Sequence, residues 1–389
     1  MTWDDQLAAA TSSWSEFCSS LENAGNEALA KTLTHDEIDL AEGVRYLARM
    51  ARITLFSSME NNDTTDPYFW TALDPHHKMG GDNPQGLYLS APLNGRDTYR
   101  VRGRRGSARW VSMILAQHGP APFGNALFLP DLEFADDGTF ELVVSPETHR
   151  GNWLQSDERT TGLLVRQFFP TPDDVVLMNL TIDNVSSTRD ASVTLDLDTA
   201  IAGMRRAGGM FGVMVSMMQQ ELLEKGDRKN SFKTDIGDHT SNSGGVPGGN
   251  AVTARWALES DEALLVTVTP PDPCAYWDVQ VGNGWYESFD YRNHFSGLTC
   301  EGAHMDDDGS VTIVVAHQDP GVANWVEAVD HREGHIAIRW QLANELPIPT
   351  TRVVPVAEVS TVTDLPAVSP EDRATARAFL ADSWTARFG

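Results

Sequence analysis

Residues 275–342 carry the strongest pattern in the chain and read AYWDVQVGNGWYESFDYRNHFSGLTCEGAHMDDDGSVTIVVAHQDPGVANWVEAVDHREGHIAIRWQL. Near the end of this stretch, Ile336, Ile338 and Trp340 alternate with less apolar residues, among them Arg339. Successive side chains of a strand point to opposite faces, so this alternation predicts a strand with one apolar and one polar face. The stretch also places large aromatic rings beside titratable groups, a combination typical of ligand pockets.

A shorter echo of this stretch lies upstream. An Asn-Trp pair begins each copy, and an apolar strand with a single arginine ends it. Fourteen residues separate Asn152 from Arg166, and fifteen separate Asn324 from Arg339. The spacing predicts a weak internal repeat that relates the two halves of the chain, with chance similarity as the alternative.

The middle of the chain has the signals of antiparallel strands. TYRVRG at 98–103 and ARWVSMILAQ at 108–117 are rich in strand-forming residues, and LEFADDGTFELVVS at 132–145 alternates around an Asp-Gly turn. Short strands joined by tight turns, with few crossover helices, are typical of β-sandwiches. We therefore predict a mainly β protein with an antiparallel β-sandwich or jelly-roll-like core.

Helical signals are confined to three places. The first is residues 1–60, where Thr34 and Glu37 form a capping-box pattern before an amphipathic run. The second is a short internal helix near residues 210–225, and the third begins at Pro370, a residue favoured in the first turn of a helix. These signals predict an N-terminal helical layer on the β core.

The composition divides the chain into four parts. A stretch rich in Asn, Asp, Pro and Gly at 61–98 predicts a long ordered loop, and the stretch at 237–250 resembles a linker. The predicted parts are an N-terminal helical segment (1–60), a first β-rich half with the internal helix (61–236), a second β-rich half (251–345), and a C-terminal tail and helix (346–389).

The charge and the cysteines narrow the class of protein. A formal net charge of −26 disfavours nucleic-acid binding, because phosphates would be repelled over most of the surface. Three scattered cysteines do not form a disulfide framework. The N-terminus lacks the features of a signal peptide, and no apolar run has the length of a membrane helix. We expect a cytoplasmic protein without membrane insertion, whose oligomeric state the sequence does not indicate.

No familiar cofactor or metal motif occurs in the chain. His-Glu-x-x-His, the Walker loop and Gly-x-Ser-x-Gly are all absent. His331 and His335 have the spacing of metal ligands on a helix, but the intervening Gly334 and the strand that follows argue against a helix there. We therefore expect no metal and no cofactor.

The aromatic stretch supplies the candidate site residues. Glu287 or Asp319 would act as general base or acid, and His294 or His331 would shuttle the proton. The remaining candidates would bind the ligand, with Arg292 as an anion clamp and the rings as walls: Trp277, Trp285, Tyr291, Arg292, Asn324, Trp325, Glu333 and Arg339. Two alternatives stay open, because Asn324-Trp325 is also typical of a structural corner and an arginine such as Arg339, flanked by apolar residues, more often forms an internal ion pair.

Three ordered runs resemble a known family: 82–106, 152–169 and 276–340 are similar to the bacterial domain of unknown function numbered twelve-fourteen. AEGVRYLARM at 41–50 resembles a helix of its actinobacterial members. The resemblance implies a β-rich, jelly-roll-like fold and supplies no catalytic residues. It associates the chain with lipid, steroid or xenobiotic metabolism, which is not a mechanism.

Two functions with a small-molecule ligand fit these observations, and a purely structural assembly subunit, which would have no pocket, is a third possibility. The first is a metal-independent hydrolase or lyase that acts on a small lipid-, steroid- or glycoside-like molecule. The second is a non-catalytic β-sandwich that binds a carbohydrate or lipid-like ligand on its aromatic face. Burial of the titratable groups separates them, because an enzyme encloses a carboxylate in its pocket and shifts its pKa.

Overall fold

The computed structural model describes residues 1–32, 34, 36–119, 122–170, 175–187, 196–224, 229–232 and 249–389. The linker predicted at 237–250 lies outside the described residues as far as 248. The described helices are α1 (Trp3–Leu29), α2 (Glu37–Leu55), α3 (Leu197–Glu224), α4 (Val359–Val362) and α5 (Pro370–Phe388), and a π-helical turn extends α2 over Phe56–Glu60. None of these helices combines the length and the apolar character that crossing a membrane requires.

The first half of the chain forms a sandwich of two sheets. Its strands are β1 (Trp70–Leu73), β2 (Gly86–Pro92), β3 (Tyr99–Arg104), β4 (Trp110–Gln117), β5 (Phe123–Phe128), β6 (Thr139–Ser145), β7 (Trp153–Gln155), β8 (Thr160–Phe168) and β9 (Leu180–Asn184). One sheet has the order β1-β2-β8-β4-β5 and the other β7-β6-β3-β9. Apolar side chains from both sheets, such as Val165 and Leu142, form one buried core.

The second half forms another sandwich. Its strands are β10 (Gly249–Ala257), β11 (Glu262–Val268), β12 (Tyr276–Gly282), β13 (Gly297–Thr299), β14 (Val311–Ala316), β15 (Trp325–Glu327), β16 (Glu333–Gln341) and β17 (Thr350–Pro355). The sheets have the orders β10-β16-β12-β13 and β15-β14-β11-β17. Ile336, Ile338 and Trp340 lie in the core between them, as the alternation in the sequence predicts.

Apart from the additional strand β1 of the first, the two sandwiches have the same topology. If β2 is matched to β10, β3 to β11 and so on to β9 and β17, the order 2-8-4-5 becomes 10-16-12-13 and the order 7-6-3-9 becomes 15-14-11-17. In each half one edge strand pairs in parallel with its neighbour, β7 with β6 and β15 with β14. The other strand pairs are antiparallel. The internal repeat predicted from the sequence is therefore a structural duplication.

The Asn-Trp pairs form equivalent corners in the two halves. The side-chain amide of Asn152 donates to the carbonyls of Glu133 and Glu141, and its oxygen accepts from the amide of Glu133. Asn324 makes the same three bonds, to His304 twice and to Thr312 once. Each following Trp donates its indole N–H to a strand carbonyl, at 3.2 Å for Trp153 and 3.1 Å for Trp325. The corner interpretation thus accounts for both pairs, because each Asn closes its turn through backbone bonds.

One tryptophan anchors the N-terminal helices on the second sandwich. Trp285 is 3% exposed, belongs to the same buried cluster as Tyr46 and Met50 of α2, and donates its indole N–H to the carbonyl of Asp39 at 2.8 Å. A Cβ at Gly43 would lie 2.8 Å from Cε2 of Trp285, closer than atoms in van der Waals contact. The predicted fold class, a mainly β core with an N-terminal helical layer, is confirmed.

Two local predictions at helix boundaries need correction. Asp36, not Thr34, caps α2, since its carboxylate accepts from the amide of Asp39 at 2.8 Å. The internal helix extends over 28 residues and begins at Leu197, well before residue 210. Glycine is a poor helix former, so the glycines of this region argue against a helix in the sequence. Gly208 has a packing role instead, because a Cβ there would lie 3.3 Å from Cα of Phe17. The glycine therefore lets α1 and α3 approach closely.

The stretch predicted as a loop at 61–98 holds two strands, β1 and β2. In β2 the side chains of Leu87 and Ala91 point into the first core and lie buried there. The flanking Asn, Pro and Gly residues hide this short alternation in the sequence, because they are typical of loops.

Candidate functional site

The two sandwiches meet along a buried polar seam. We use "the seam" for three side chains of the first sandwich and three of the second: Tyr88, Ser112, Arg166, Tyr276, Asp278 and Arg339. They lie on the faces of the two sheets opposite to the apolar cores, and the rings of Phe168 and Tyr276 meet at 5.8 Å between centroids. Polar groups on such a buried face must find partners within the protein.

Arg339 is neutralised by the strand beside it. Its Nη1 lies 2.9 Å from Oδ1 of Asp278, which is directly opposite in the β12–β16 ladder, and Nη2 donates to the carbonyl of Gly81. Asn83 donates to the other oxygen of Asp278 at 3.1 Å. Burial raises the pKa of Asp278, while Arg339 opposes that effect. The structure thus places Arg339 in the internal ion pair that was the alternative to a ligand-facing role.

Arg166 occupies the equivalent position of the first sandwich but faces a serine. Ser112 is its neighbour in the β4–β8 ladder and accepts from Nε at 2.9 Å. Arg166 is 7% exposed, and its Nη2 has no hydrogen-bond partner among the described residues. Burial lowers the pKa of Arg166 to about 10, because the charged form is poorly solvated there.

A second buried charged cluster lies under the helical layer. Glu287 is 0% exposed, and Nη1 of Arg49 on α2 lies 2.7 Å from its Oε2. Lys78 donates to the carbonyls of Ser288 and Phe289, and both oxygens of Asp82 accept from Ser288. Burial raises the pKa of Glu287 to about 7, against the opposing effect of Arg49. The cluster joins α2 to the β12–β13 connection.

A cleft of about 260 Å³ lies between the sandwiches and α5. The segments 84–85 and 169–170 of the first sandwich, 291–302 of the second, and one face of α5 line it. The apolar part of its wall consists of Pro84, Phe169, Pro170, Phe295, Leu298, Ala376, Phe379 and Leu380. The polar part consists of Gln85, Tyr291, His294, Ser296, Thr299, Ser383 and Arg387.

Arg387 is the buried cation of this cleft. It is 8% exposed, and its Nε and Nη1 donate to the carbonyls of Ser383, Pro84 and Gly86. Among the described residues that line the cleft there is no carboxylate to balance it. Burial lowers the pKa of Arg387 to about 10. The cleft therefore combines apolar walls with positive charge.

His294 lies at the edge of the same cleft. Its Nδ1 is 2.8 Å from Oε2 of Glu327, and Nη1 of Arg377 on α5 is 2.9 Å from the other oxygen. The hydrogen bond that His294 donates to Glu327 is the main reason that the pKa of His294 is raised. Ser296 also lines the cleft, and its buried hydroxyl has no partner among the described residues.

The residues predicted to do acid–base chemistry do not converge. Glu287 lies under α2, while His331 is bound through Nε2 to Glu42 of the same helix at 3.0 Å. Asp319 is exposed and pairs with Arg373 of α5 at 2.9 Å, and only His294 lines the cleft. The predicted site is corrected in this respect, because each carboxylate is held by a different cation on a different element.

The residues predicted to bind a ligand are dispersed as well. Tyr291 lines the cleft, whereas Trp277 lies in the apolar core of the second sandwich. Arg292 is exposed with its guanidinium 4.6 Å from the Trp384 ring, and Glu333 pairs with Arg255 at 2.6 Å. As shown above, Trp285 anchors the helical layer, Asn324 and Trp325 form a corner, and Arg339 pairs with Asp278.

Within the described part of the chain, no three His, Cys, Asp or Glu side chains come together in a way that would hold a metal ion. His335 and His331 have different partners, since Nδ1 of His335 lies 2.9 Å from the carbonyl of Asn283 and Nε2 of His331 lies 3.0 Å from Glu42. The cleft residues that the sequence analysis missed, Arg387 and Phe379, lie on α5. Their helix is far from the aromatic stretch in the sequence, so nothing in the local pattern connects them.

Two comparisons relate the chain to other proteins. The family model described as "Protein of unknown function (DUF1214)" matches residues 257–345, which hold β11 to β16. An uncharacterized protein from Burkholderia cenocepacia, whose crystal structure is known, is 32% identical. The match covers 89% of this chain and 98% of that chain, with a TM-score of 0.83.

A further solved structure, the VPA0106 protein from Vibrio parahaemolyticus, has 12% identity and a TM-score of 0.47 over 80% of this chain and 98% of that chain. This likeness is too weak to carry an argument. The comparison with curated proteins found no match. An actinobacterial origin stays a prediction. The chain therefore holds a DUF1214 domain at residues 257–345, and it is related to the Burkholderia cenocepacia protein over most of its length.

Proposed function

We propose that the protein binds a small, mainly apolar molecule with one anionic group in the cleft between the sandwiches and α5. The observation that carries this proposal is Arg387, a buried guanidinium in a wall that has no carboxylate among its described residues. A buried cation is costly unless an anion lies close to it. Three carbonyls orient Arg387 but leave its charge unbalanced.

The remaining walls of the cleft support a ligand with an apolar body. Phe169, Leu298 and Phe379 offer apolar surface, and Tyr291 adds an aromatic ring that the Arg387 guanidinium approaches at 5.7 Å. Pockets for drug-sized ligands span roughly 300–1,000 Å³. A cleft of about 260 Å³ therefore favours a smaller molecule, such as a medium-chain or aryl carboxylate. This ligand class is close to the lipid-like ligand expected of a non-catalytic sandwich.

Matched ligand pairs test the proposal directly. Octanoate and octanol, or benzoate and benzyl alcohol, share an apolar body and differ in charge. We expect the carboxylates to raise the melting temperature and to give a measurable Kd by calorimetry, because a ligand that binds only the folded state stabilises it. The alcohols should bind at least tenfold more weakly. Equal effects of acid and alcohol, or no effect of either, would reject the proposal.

Variants of Phe379 separate charge from folding defects. This side chain is 41% exposed and lines the cleft, so replacing it does not disturb the core. Phe379→Asp places a negative charge in the wall, and Phe379→Asn is the neutral control of the same size. We expect the Asp variant to bind octanoate at least tenfold more weakly than the Asn variant. Arg387→Met should abolish the preference for acid over alcohol, whereas Arg292→Met, outside the cleft, should keep it.

A second candidate function is hydrolysis in the same cleft. The Nδ1 contact of His294 with Glu327 is the arrangement that orients a catalytic base, and the Ser296 hydroxyl lies in the same wall. Hydrolysis of p-nitrophenyl esters by the wild type, and its loss in His294→Gln, would support this function. Turnover equal to that in buffer would exclude hydrolysis and leave ligand binding as the proposed function.

A further inference from the structure

The duplication allows the two seam arginines to be compared at equivalent positions. Arg166 and Arg339 each lie on the central strand of a duplicated sheet, β8 and β16. The residue directly opposite on the adjacent strand is Ser112 for Arg166 and Asp278 for Arg339. The second sandwich thus supplies a carboxylate to its arginine, and the first supplies only a hydroxyl.

The first sandwich leaves the charge of Arg166 unbalanced. Among the described residues, its polar contact is the bond from Nε to Ser112, and its guanidinium otherwise lies 5.6 Å from the Phe168 ring centroid. Nη2 is buried and unpartnered. The acid of the seam, Asp278, favours the charged form of Arg166 without a hydrogen bond to it, because its oxygens are bonded to Arg339 and Asn83. A guanidinium buried to this extent needs an anion at bonding distance.

We propose that a small monovalent anion, of the size of chloride or formate, binds at Nη2 of Arg166 within the seam. The anion does for Arg166 what the carboxylate of Asp278 does for Arg339. Its size is limited because Tyr88 and Ser112 flank Arg166 on the neighbouring strands and Phe168 covers it. The site is distinct from the cleft, whose cation is Arg387.

The replacement Ser112→Asp tests this inference, because it copies the arrangement of the second sandwich. The full-length chain is unfolded thermally in sodium chloride, sodium formate or sodium gluconate at pH 7 and constant ionic strength. Constant ionic strength removes general screening from the comparison. For the wild type we expect the melting temperature to rise as chloride or formate replaces gluconate, because gluconate is too large for the site.

The Ser112→Asp variant should melt higher than the wild type in gluconate and should lose the dependence on chloride. Ser112→Asn, which has the same shape without the charge, should keep that dependence. The inference is overturned if the wild type melts at the same temperature in all three salts. It is also overturned if the Asp variant responds to chloride as the Asn variant does.

A direct measurement on the wild type does not depend on any variant folding. Bromide can replace chloride, and its anomalous scattering in crystals grown with sodium bromide locates it. We expect a peak at hydrogen-bond distance from Nη2 of Arg166. A map with no peak there at molar bromide overturns the site. Loss of octanoate binding in the Phe379→Asp variant concerns the cleft alone, so the two proposals fail independently.

Discussion

The pH dependence of stability tests the buried contact between Glu287 and Arg49. Glu287 is fully buried. The groups around it are Arg49 and Tyr46 on α2, and Lys78 and Asp82 on the connection between β1 and β2. Only one of its oxygens is bonded to Arg49, and the other has no partner among the described residues. Glu287→Gln keeps the size of the side chain and removes its titration.

The expected size of the effect follows from the pKa of Glu287. It is about 7 in the folded protein, whereas the ordinary value is 4.5. Each tenfold difference in proton affinity corresponds to about 1.4 kcal/mol, so the full effect is about 3 kcal/mol. The folded state holds the proton more tightly than the unfolded chain. The stabilising contribution is therefore complete below about pH 4.5 and is lost as the pH rises through about 7.

Urea unfolding at pH 5, 6, 7 and 8 measures this effect. The free energy of unfolding of the wild type minus that of Glu287→Gln should fall by about 2–3 kcal/mol between pH 5 and pH 8. Taking the difference cancels the other titrating groups. Glu259→Gln, which changes an exposed carboxylate, serves as the control and should give a flat difference. A flat difference for Glu287→Gln as well would refute the reasoning.

Three further replacements give separate predictions. Arg339→Met should lower the free energy of unfolding by about 3–5 kcal/mol in urea, because it leaves the buried carboxylate of Asp278 unpaired; a loss below 1 kcal/mol would contradict this. Gly43→Ala should lower the free energy of unfolding by about 1–3 kcal/mol and change the near-ultraviolet circular dichroism of Trp285. No change in either quantity would contradict the docking of the helical layer on Trp285. Asp319→Asn should change stability by less than about 1 kcal/mol, since Asp319 is exposed and Arg373 keeps its bond to the carbonyl of Val322, and should leave octanoate affinity unchanged in calorimetry.

Short-range patterns predicted the fold well because strands have a strict period. The alternation around Ile338 fixed which residues of β16 enter the core, and the two Asn-Trp pairs indicated the duplication before any pairing was known. Both signals depend on residues a few positions apart. Where a glycine has a packing role, as at Gly208, the same local rules underestimated the length of the helix.

The site was harder to predict because its contacts join distant parts of the chain. Arg49 and Glu287 are 238 residues apart, and Arg387 reaches the carbonyl of Pro84 across 303 residues. Sequence alone gives neither the distance between two carboxylates nor the cation that binds each of them. Asp319 illustrates the consequence, since its neighbours in the sequence do not reveal its pairing with Arg373 on α5.

The duplication explains why most aromatic residues of the stretch 275–342 have structural roles. Features that occur in both halves, such as the corners of Asn152 and Asn324, serve the sandwich and would be present whatever the protein binds. Chemistry specific to this chain must then come from positions where the halves differ. Those positions are the serine opposite Arg166, where the other half has Asp278, and the cleft that α5 closes over the junction. Neither half alone forms that cleft, because its walls come from both sandwiches and from a helix outside the repeat.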